Sequence, residues 1–327
     1  MMGAEASVTE IGWENVPPRF ARFLAAIEPS SAERLAVEAA GREVAALLDR
    51  RFGAAPGKRL RPRAESGRPS ETVRVIGGYA KGTAISGRAT IDLLQVTTDR
   101  GDGSAAKRTD AIIDLLGERY GAVRVAPPGW LMVEPGHRSA GDGPVRVRVL
   151  TAHASASGGL RAEVPSTRRQ GPVWMHLDPA AEAAHLNLID RLADGKARHL
   201  IRIVKAWRRA MAVPLSGFAI ELLVAEFLSI WLYRRRSLLF YDWMVRDFFF
   251  WLTLQAGHVV TVPGTGEPLP LQDAWREAAA AAHAVAARAA DLERDNQSLA
   301  ALAHWRQIFG LAITDAPHRS AEASRTG

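Results

Sequence analysis

Apolar and polar positions alternate in two different ways along this chain, and the change falls near its middle. In residues 30–52, SSAERLAVEAAGREVAALLDRRF, Val37, Val44, Leu48 and Phe52 recur at helical spacing, so one face of a long helix is apolar. Ser30 followed three residues later by Glu33 has the form of a capping box at its start. A shorter amphipathic piece surrounds FARFLAAI within residues 1–29. Short β-branched runs follow at 72–77 (TVRVIG), 89–97 (ATIDLLQVT), 123–127, 129–134 and 144–152, the last alternating with period two, and all read as strands. The pattern at 109–121 predicts a helix between the second and third of these. Residues 53–71 and 153–173, rich in Gly, Pro, Ser and Arg, read as loops.

From about residue 179 the pattern becomes helical throughout. Helices are predicted over PAAEAAHLNLIDRLADG, KARHLIRIVKAWRRAMA, SGFAIELLVAEFLSIWLY and LLFYDWMVRDFFFWLTLQAG. After the Pro/Gly-rich stretch VPGTGEPLPL (262–271), one long alanine-rich helix is expected to reach about residue 308. This order predicts an α+β protein with two lobes and a cleft between them. The expected divisions are an N-terminal extension (1–29), an α/β lobe (30–175), a helical lobe (176–310) and a disordered tail (311–327).

Composition narrows the chemistry. The chain has 327 residues and no cysteine, which excludes disulfides, thiolate catalysis and cysteine-ligated zinc and suits a cytoplasmic setting. The most apolar region, 218–252, is interrupted by Glu221, Glu226, Arg234–Arg236, Asp242 and Asp247, so buried helices and no membrane span are expected. A net charge of +7 suits polyanionic partners, although an arginine-rich composition by itself produces the same balance. The histidines show no ligand spacing of the H-E-x-x-H kind, and no G-x-S-x-G elbow is present. Arg208, Arg209 and Arg234–Arg236 read either as a basic face for nucleic acid or as solvated helix ends.

The stretch GGYAKGTAISGRATIDLL (77–94) carries the candidate chemistry. Gly77, Gly78 and Gly82 could bring backbone N–H groups close to a phosphate, with Lys81 adding charge. On the strand that follows, residues 90 and 92 share a face. Two carboxylates there would clamp a divalent cation, yet the pair is Thr90 and Asp92.

These residues resemble the signature of the polymerase-β-like nucleotidyltransferases, in the branch of cGAS/DncV-like enzymes and oligoadenylate synthases. The resemblance continues through HLIRIVKAWRRAMAVPLSGFAIELLVAEFL (199–228) and AHAVAARAADLERDNQSLAALAHWRQIFG (282–310), and spans roughly residues 20–310. It implies a two-lobed nucleotidyltransferase fold: a mixed-sheet lobe with a long N-terminal helix, then a helical lobe. For an active member it implies Mg2+, NTP substrates and a cyclic or linear oligonucleotide product. Its biological setting would be bacterial antiviral (CBASS-type) defence, where partners include a defence-system protein or nucleic acid.

Position by position, the resemblance places Thr90 at the first metal-binding acid, Asp92 at the second and Arg148 at the third. Asp92 is then the sole retained metal ligand and catalytic acid. Gly78 stands where a phosphate-contacting serine is usual, Thr151 where a proline is, and VPGTGEPLPL replaces an Asp-Pro loop. Gly77, Gly78, Lys81, Lys205 and Ser216 become the nucleotide-binding candidates, although Ser216 equally suits a helix cap. A site of three carboxylates becomes one without net charge, which points to impaired metal-dependent catalysis with the nucleotide cleft kept. Four alternatives stay open at this level: acids such as Asp99, Asp102, Glu134 or Asp142 entering the site, an active enzyme using Asp92 with substrate phosphates, a partner chain completing the site, and a basic nucleic-acid-binding protein.

Overall fold

In the computed structural model, the described residues are 14–53, 72–97, 105–127, 129–139, 143–154, 159–164 and 173–315. The amphipathic FARFLAAI segment forms α1 (Val16–Ile27), with Phe20, Phe23 and Ile27 fully buried. The long predicted helix forms α2 (Ser31–Phe52). Ser30 caps it by accepting a hydrogen bond from the Glu33 N–H (3.1 Å). The reciprocal half of the expected capping box is absent, because the Glu33 carboxylate instead accepts from the Gly87 N–H (3.2 Å).

Next come β1 (Val73–Ile76), α3 (Gly77–Lys81), β2 (Thr90–Thr97), α4 (Ala105–Tyr120), β3 (Arg124–Ala126), β4 (Trp130–Val133) and β5 (Arg146–Ala154). β6 (Leu160–Val164) then occupies part of the segment read from sequence as loop, and β7 (Val173–Leu177) begins at its last residue. β6 is only five residues long (LRAEV) and sits between a Gly/Ser-rich and an Arg-rich stretch, which is why the segment reads as loop. The sheet order is β1-β2-β5-β4-β3, with β6 and β7 continuing from the end of β5. β2 and β5 run parallel and the other pairs antiparallel, so the sheet is mixed.

One face of this sheet packs Ile91, Leu93, Val147 and Val149 against Val37, Val44 and Leu48 of α2 and Ile112 and Leu116 of α4, all at most 2% exposed. Burying each such side chain contributes about 1.5–3 kcal/mol, so this face anchors the strands. The opposite face alternates with it. There Leu94, Val96, Leu150 and Ala152 form a small apolar cluster, preceded along the two strands by Thr90, Asp92, Arg146 and Arg148.

The remaining elements are α5 (Pro179–Leu192), α6 (Lys196–Ala210), α7 (Gly217–Ile230), α8 (Tyr241–Thr253), β8 (Val259–Thr261), β9 (Pro268–Pro270), α9 (Arg276–Arg294) and α10 (Ser298–Phe309). The Pro/Gly-rich stretch thus supplies one strand of a hairpin. The single long helix expected to end near 308 is two, broken at Asn296, whose φ of 55° is left-handed and incompatible with a continuing helix. No described helix is long and apolar enough to cross a membrane.

Contacts divide the chain into two units. One comprises the described residues of 28–188 and 261–269, the other those of 1–27, 189–260 and 270–327. α1 therefore belongs with the helical unit, where Arg19, fully buried, pairs with Glu293 and Asp315.

Also in the helical unit, Asp242 at the start of α8 is fully buried. Burial pushes its carboxyl up to about 7, against smaller opposing pulls from the Trp243 amide and the Arg246 charge. The unfolded chain would hold this carboxyl near 3.8, so between about pH 4 and pH 7 the native state binds the extra proton. Its contribution is therefore complete below pH 4 and is lost as pH rises toward 7, with a slope of up to about 1.4 kcal/mol per pH unit. Asp242→Asn is expected to flatten that part of the stability–pH curve, measured by denaturant unfolding from pH 4.5 to 8. An unchanged curve would mean Asp242 ionises at its ordinary pKa.

Candidate functional site

The site is built where β1, β2, β5 and β4 lie side by side. Their register sets Ile76 beside Asp92, Asp92 beside Arg148, and Arg148 beside Met132, with Thr90 beside Arg146 one pleat away. The two sequence positions read as lost and retained acids are thus direct neighbours on parallel strands, about 4.8 Å apart along the hydrogen-bonding direction.

Arg148 grips Asp92 with both arms of its guanidinium. Nε donates to Oδ1 at 2.6 Å and Nη2 donates to Oδ2 at 2.7 Å, the fork geometry in which arginine binds carboxylate most strongly. The same guanidinium lies over the Trp130 ring, 4.7 Å from its centroid. Trp130 was not a sequence candidate. Nothing in its local sequence marks it, and only the register brings it next to Arg148.

Backbone geometry explains how Asp92 fits. The predicted glycine loop is in fact a single helical turn, α3, closed by Gly82 in the left-handed region (φ 67°). Gly77, its first residue, also has a positive φ (70°). A Cβ there would fall inside van der Waals contact of Asp92 Oδ2 and 3.1 Å from its Cγ. Gly78 is different: an added Cβ would meet nothing closer than 3.5 Å, so a serine would fit sterically. Gly77→Ala is accordingly expected to destabilise the protein by about 1–3 kcal/mol through backbone strain and displacement of Asp92, whereas Gly78→Ser should stay within about 0.5 kcal/mol. Chemical denaturation of both variants checks the contrast; equal losses would refute it.

The lysines expected to meet phosphate are already paired. Lys81, 8% exposed, reaches Glu182 of α5 at 3.1 Å. In the helical unit Lys205, also 8% exposed, donates to Glu221 at 2.7 Å. Ser216 caps α7, accepting from the Ala219 N–H at 3.0 Å. Arg146 pairs with Glu134 at 3.0 Å, so Glu134 is engaged beside the site with a cation of its own. Asp99, Asp102 and Asp142 lie outside the described residues.

Gly77, Gly78, Lys81, Thr90, Asp92 and Arg148 all belong to the sheet unit, and Lys205 and Ser216 to the helical unit. Among the described residues no group of three or more His, Cys, Asp or Glu side chains is placed to hold a metal ion. The donor chemistry explains the misfit at Asp92. Its two oxygens already accept from Arg148, and Thr90 adds only a neutral hydroxyl. A divalent cation placed about 4 Å from the guanidinium would meet a repulsion of roughly 8 kcal/mol at an effective dielectric of 20. The residues present do not fit a two-metal centre.

No protein-family model and no curated protein matches the chain by sequence. Solved structures match it over nearly its whole length. CdnC of Escherichia coli MS115-1, in a complex with HORMA-deltaN, superposes with a TM-score of 0.65 at 15% identity, covering 92% of this chain and 99% of that one. The Vibrio cholerae DncV cyclic AMP-GMP synthase, bound to the linear intermediate 5′ pppA(3′,5′)pG, gives 0.64 at 12% identity, covering 92% and 97%. The Bradyrhizobium diazoefficiens CD-NTase CdnG, in complex with GTP, gives 0.60 at 15%, covering 91% and 95%. The fold of this chain is thus that of the cGAS/DncV-like nucleotidyltransferases.

Proposed function

We propose that this protein is a cGAS/DncV-like nucleotidyltransferase homologue that binds a nucleotide or oligonucleotide phosphate without two-metal catalysis. The observation that carries this reading is the bidentate Arg148–Asp92 pair. It puts a guanidinium where the resemblance expects an acid, and it occupies both oxygens of the one acid that is kept.

Arginine can serve the phosphate directly. The pair with Asp92 uses Nε and Nη2, and Arg148 remains 37% exposed, so its Nη1 donors are available to a phosphoryl oxygen. Asp92 and Trp130 hold the guanidinium in place, which lowers the entropy cost of that contact. The fold neighbours support the ligand class, since structures of CdnC with ATP and CdnG with GTP are among them. Bacterial defence, which the resemblance implies, is the setting we attach to this reading.

The test has two arms. In EDTA, binding of labelled ATP and GTP is expected in the native protein and weakened at least tenfold in Arg148→Ala. With all four NTPs in Mg2+ or Mn2+, no product is expected from the native protein or from Asp92→Ala. A product that the native protein makes and Asp92→Ala does not would overturn the proposal and establish an active enzyme.

A further inference from the structure

A second set of side chains, wholly within the helical unit, has the make-up of a nucleic-acid contact. The turn after α7 reads Leu232-Tyr-Arg-Arg-Arg-Ser, and residues 232–240 contain three arginines and no acid. Its Tyr233 stacks on Phe240, with ring centroids 5.8 Å apart and planes 13° from parallel. Both rings meet Trp243 edge-on, at 5.6 and 5.3 Å. None of the three is fully buried; each is partly exposed.

Cations flank this aromatic group on two sides. Arg236 lies over Phe240 (5.9 Å) and Arg246 over Trp243 (5.4 Å). Arg235 and Arg236 are exposed, and neither makes an ion pair with a described residue. The acids nearby are otherwise engaged: Asp247 accepts from Arg246 and from the Trp231 indole, and Asp242 is fully buried. Partly exposed rings beside exposed arginines such as Arg235 and Arg236 are the combination that binds single strands, with bases stacking on the rings and phosphates meeting the cations.

We infer that Tyr233, Phe240 and Trp243, with Arg235 and Arg236, form a binding site for single-stranded nucleic acid. A membrane surface also attracts arginine and aromatic residues, but it needs apolar groups free to insert. In this turn only Leu232, 86% exposed, meets that need, whereas the rings are half-covered by one another. The site is independent of the nucleotide reading above, because none of its residues contributes to the sheet.

Fluorescence anisotropy with labelled dT20, rU20 and a 20-base-pair duplex tests it, using the intact chain at 50 and 200 mM salt. Both single strands are expected to bind more tightly than the duplex. Raising the salt should weaken binding roughly 20-fold if about three phosphates are neutralised. Arg235→Glu/Arg236→Glu should reduce affinity at least tenfold and flatten that salt dependence. Tyr233→Leu should reduce affinity while leaving the salt slope unchanged, the signature of lost stacking. Circular dichroism confirms that the variants fold. A preference between dT20 and rU20 would name the natural strand. The inference fails if the native protein binds none of the three, if either variant binds like the native protein, or if vesicles containing phosphatidylserine bind tightly and compete the strands away.

Discussion

A chain carrying Thr90→Asp together with Arg148→Asp is expected to bind Mn2+ where the native residues do not fit it. The sheet dictates which positions matter. Residues 90 and 92 share a face of β2, roughly 7 Å apart, and residue 148 is the direct lateral partner of Asp92 on β5. Carboxylates at all three would converge on one point, because Gly77 leaves room for the middle one. The guanidinium that opposes a cation would be gone.

Without metal the variant should be less stable than the native protein, since three like charges crowd one another where an ion pair stood. Arg148 is partly exposed, so solvent screens the loss of that pair and limits it to about 1–3 kcal/mol. Saturating Mn2+ reverses the effect. At a hundredfold excess over Kd the gain is about 2.7 kcal/mol, which corresponds to roughly 5–10 °C in Tm. Thermal melts with and without MnCl2 would read it, with the native protein moving by less than about 1 °C. Absence of any Mn2+ response in the variant would mean that the strands do not frame a metal centre even with the acids restored. Appearance of NTP turnover as well would show that the rest of the machinery had been kept.

The second large effect is expected at Arg19, far from the sheet in sequence and in role. Its guanidinium is fully buried in the helical unit. It pairs with Glu293 through Nη1, donates from Nε to Asp315 at 2.7 Å, and donates from Nη2 to the Ser298 hydroxyl (2.7 Å) and carbonyl (3.0 Å). One side chain on α1 thereby joins the end of α9, the start of α10 and the strand-like exit after α10. Glu293, 2% exposed, accepts from the Trp305 indole as well, and nothing else in this group supplies positive charge.

Arg19→Met therefore leaves a carboxylate buried without its cation. We expect a loss of about 4–5 kcal/mol, or roughly 8–20 °C in Tm. Adding Glu293→Gln should recover a large part of it, because the neutral amide removes the stranded charge while still accepting from Trp305. A single variant melting within 2 °C of the native protein, or a double variant worse than the single, would contradict this account.

Much of the sheet unit was legible because its signals are local. Ser30 and the spacing of Val37, Val44 and Leu48 identify α2, and β-branched alternation identifies β2 and β5. Motifs in the right order suggested the nucleotidyltransferase fold. Where local signals were mixed, the reading went astray. β6 was missed because its five residues sit between Gly/Ser-rich and Arg-rich stretches, and the last helix was joined to its neighbour because alanine-rich composition conceals the turn at Asn296. Glu33 looked like a capping-box partner but bonds Gly87, more than fifty residues away.

The amino-acid order by itself determined that position 90 holds no acid, that position 148 is an arginine, and that Gly77 and Gly78 precede the strand carrying Asp92. These are statements about which groups exist, and any fold must accept them. Which groups meet was decided only in three dimensions. Strand register turned Arg148 from a missing ligand into a bidentate partner of Asp92, stacked it on Trp130, and made Gly77 indispensable while leaving Gly78 free to vary. Helix packing likewise took Lys81 to Glu182 and Arg19 to Glu293 across long stretches of chain. The physical reason is range: propensity and periodicity act over a few residues, whereas ion pairing and stacking need groups within about 4–6 Å, a proximity that packing alone creates.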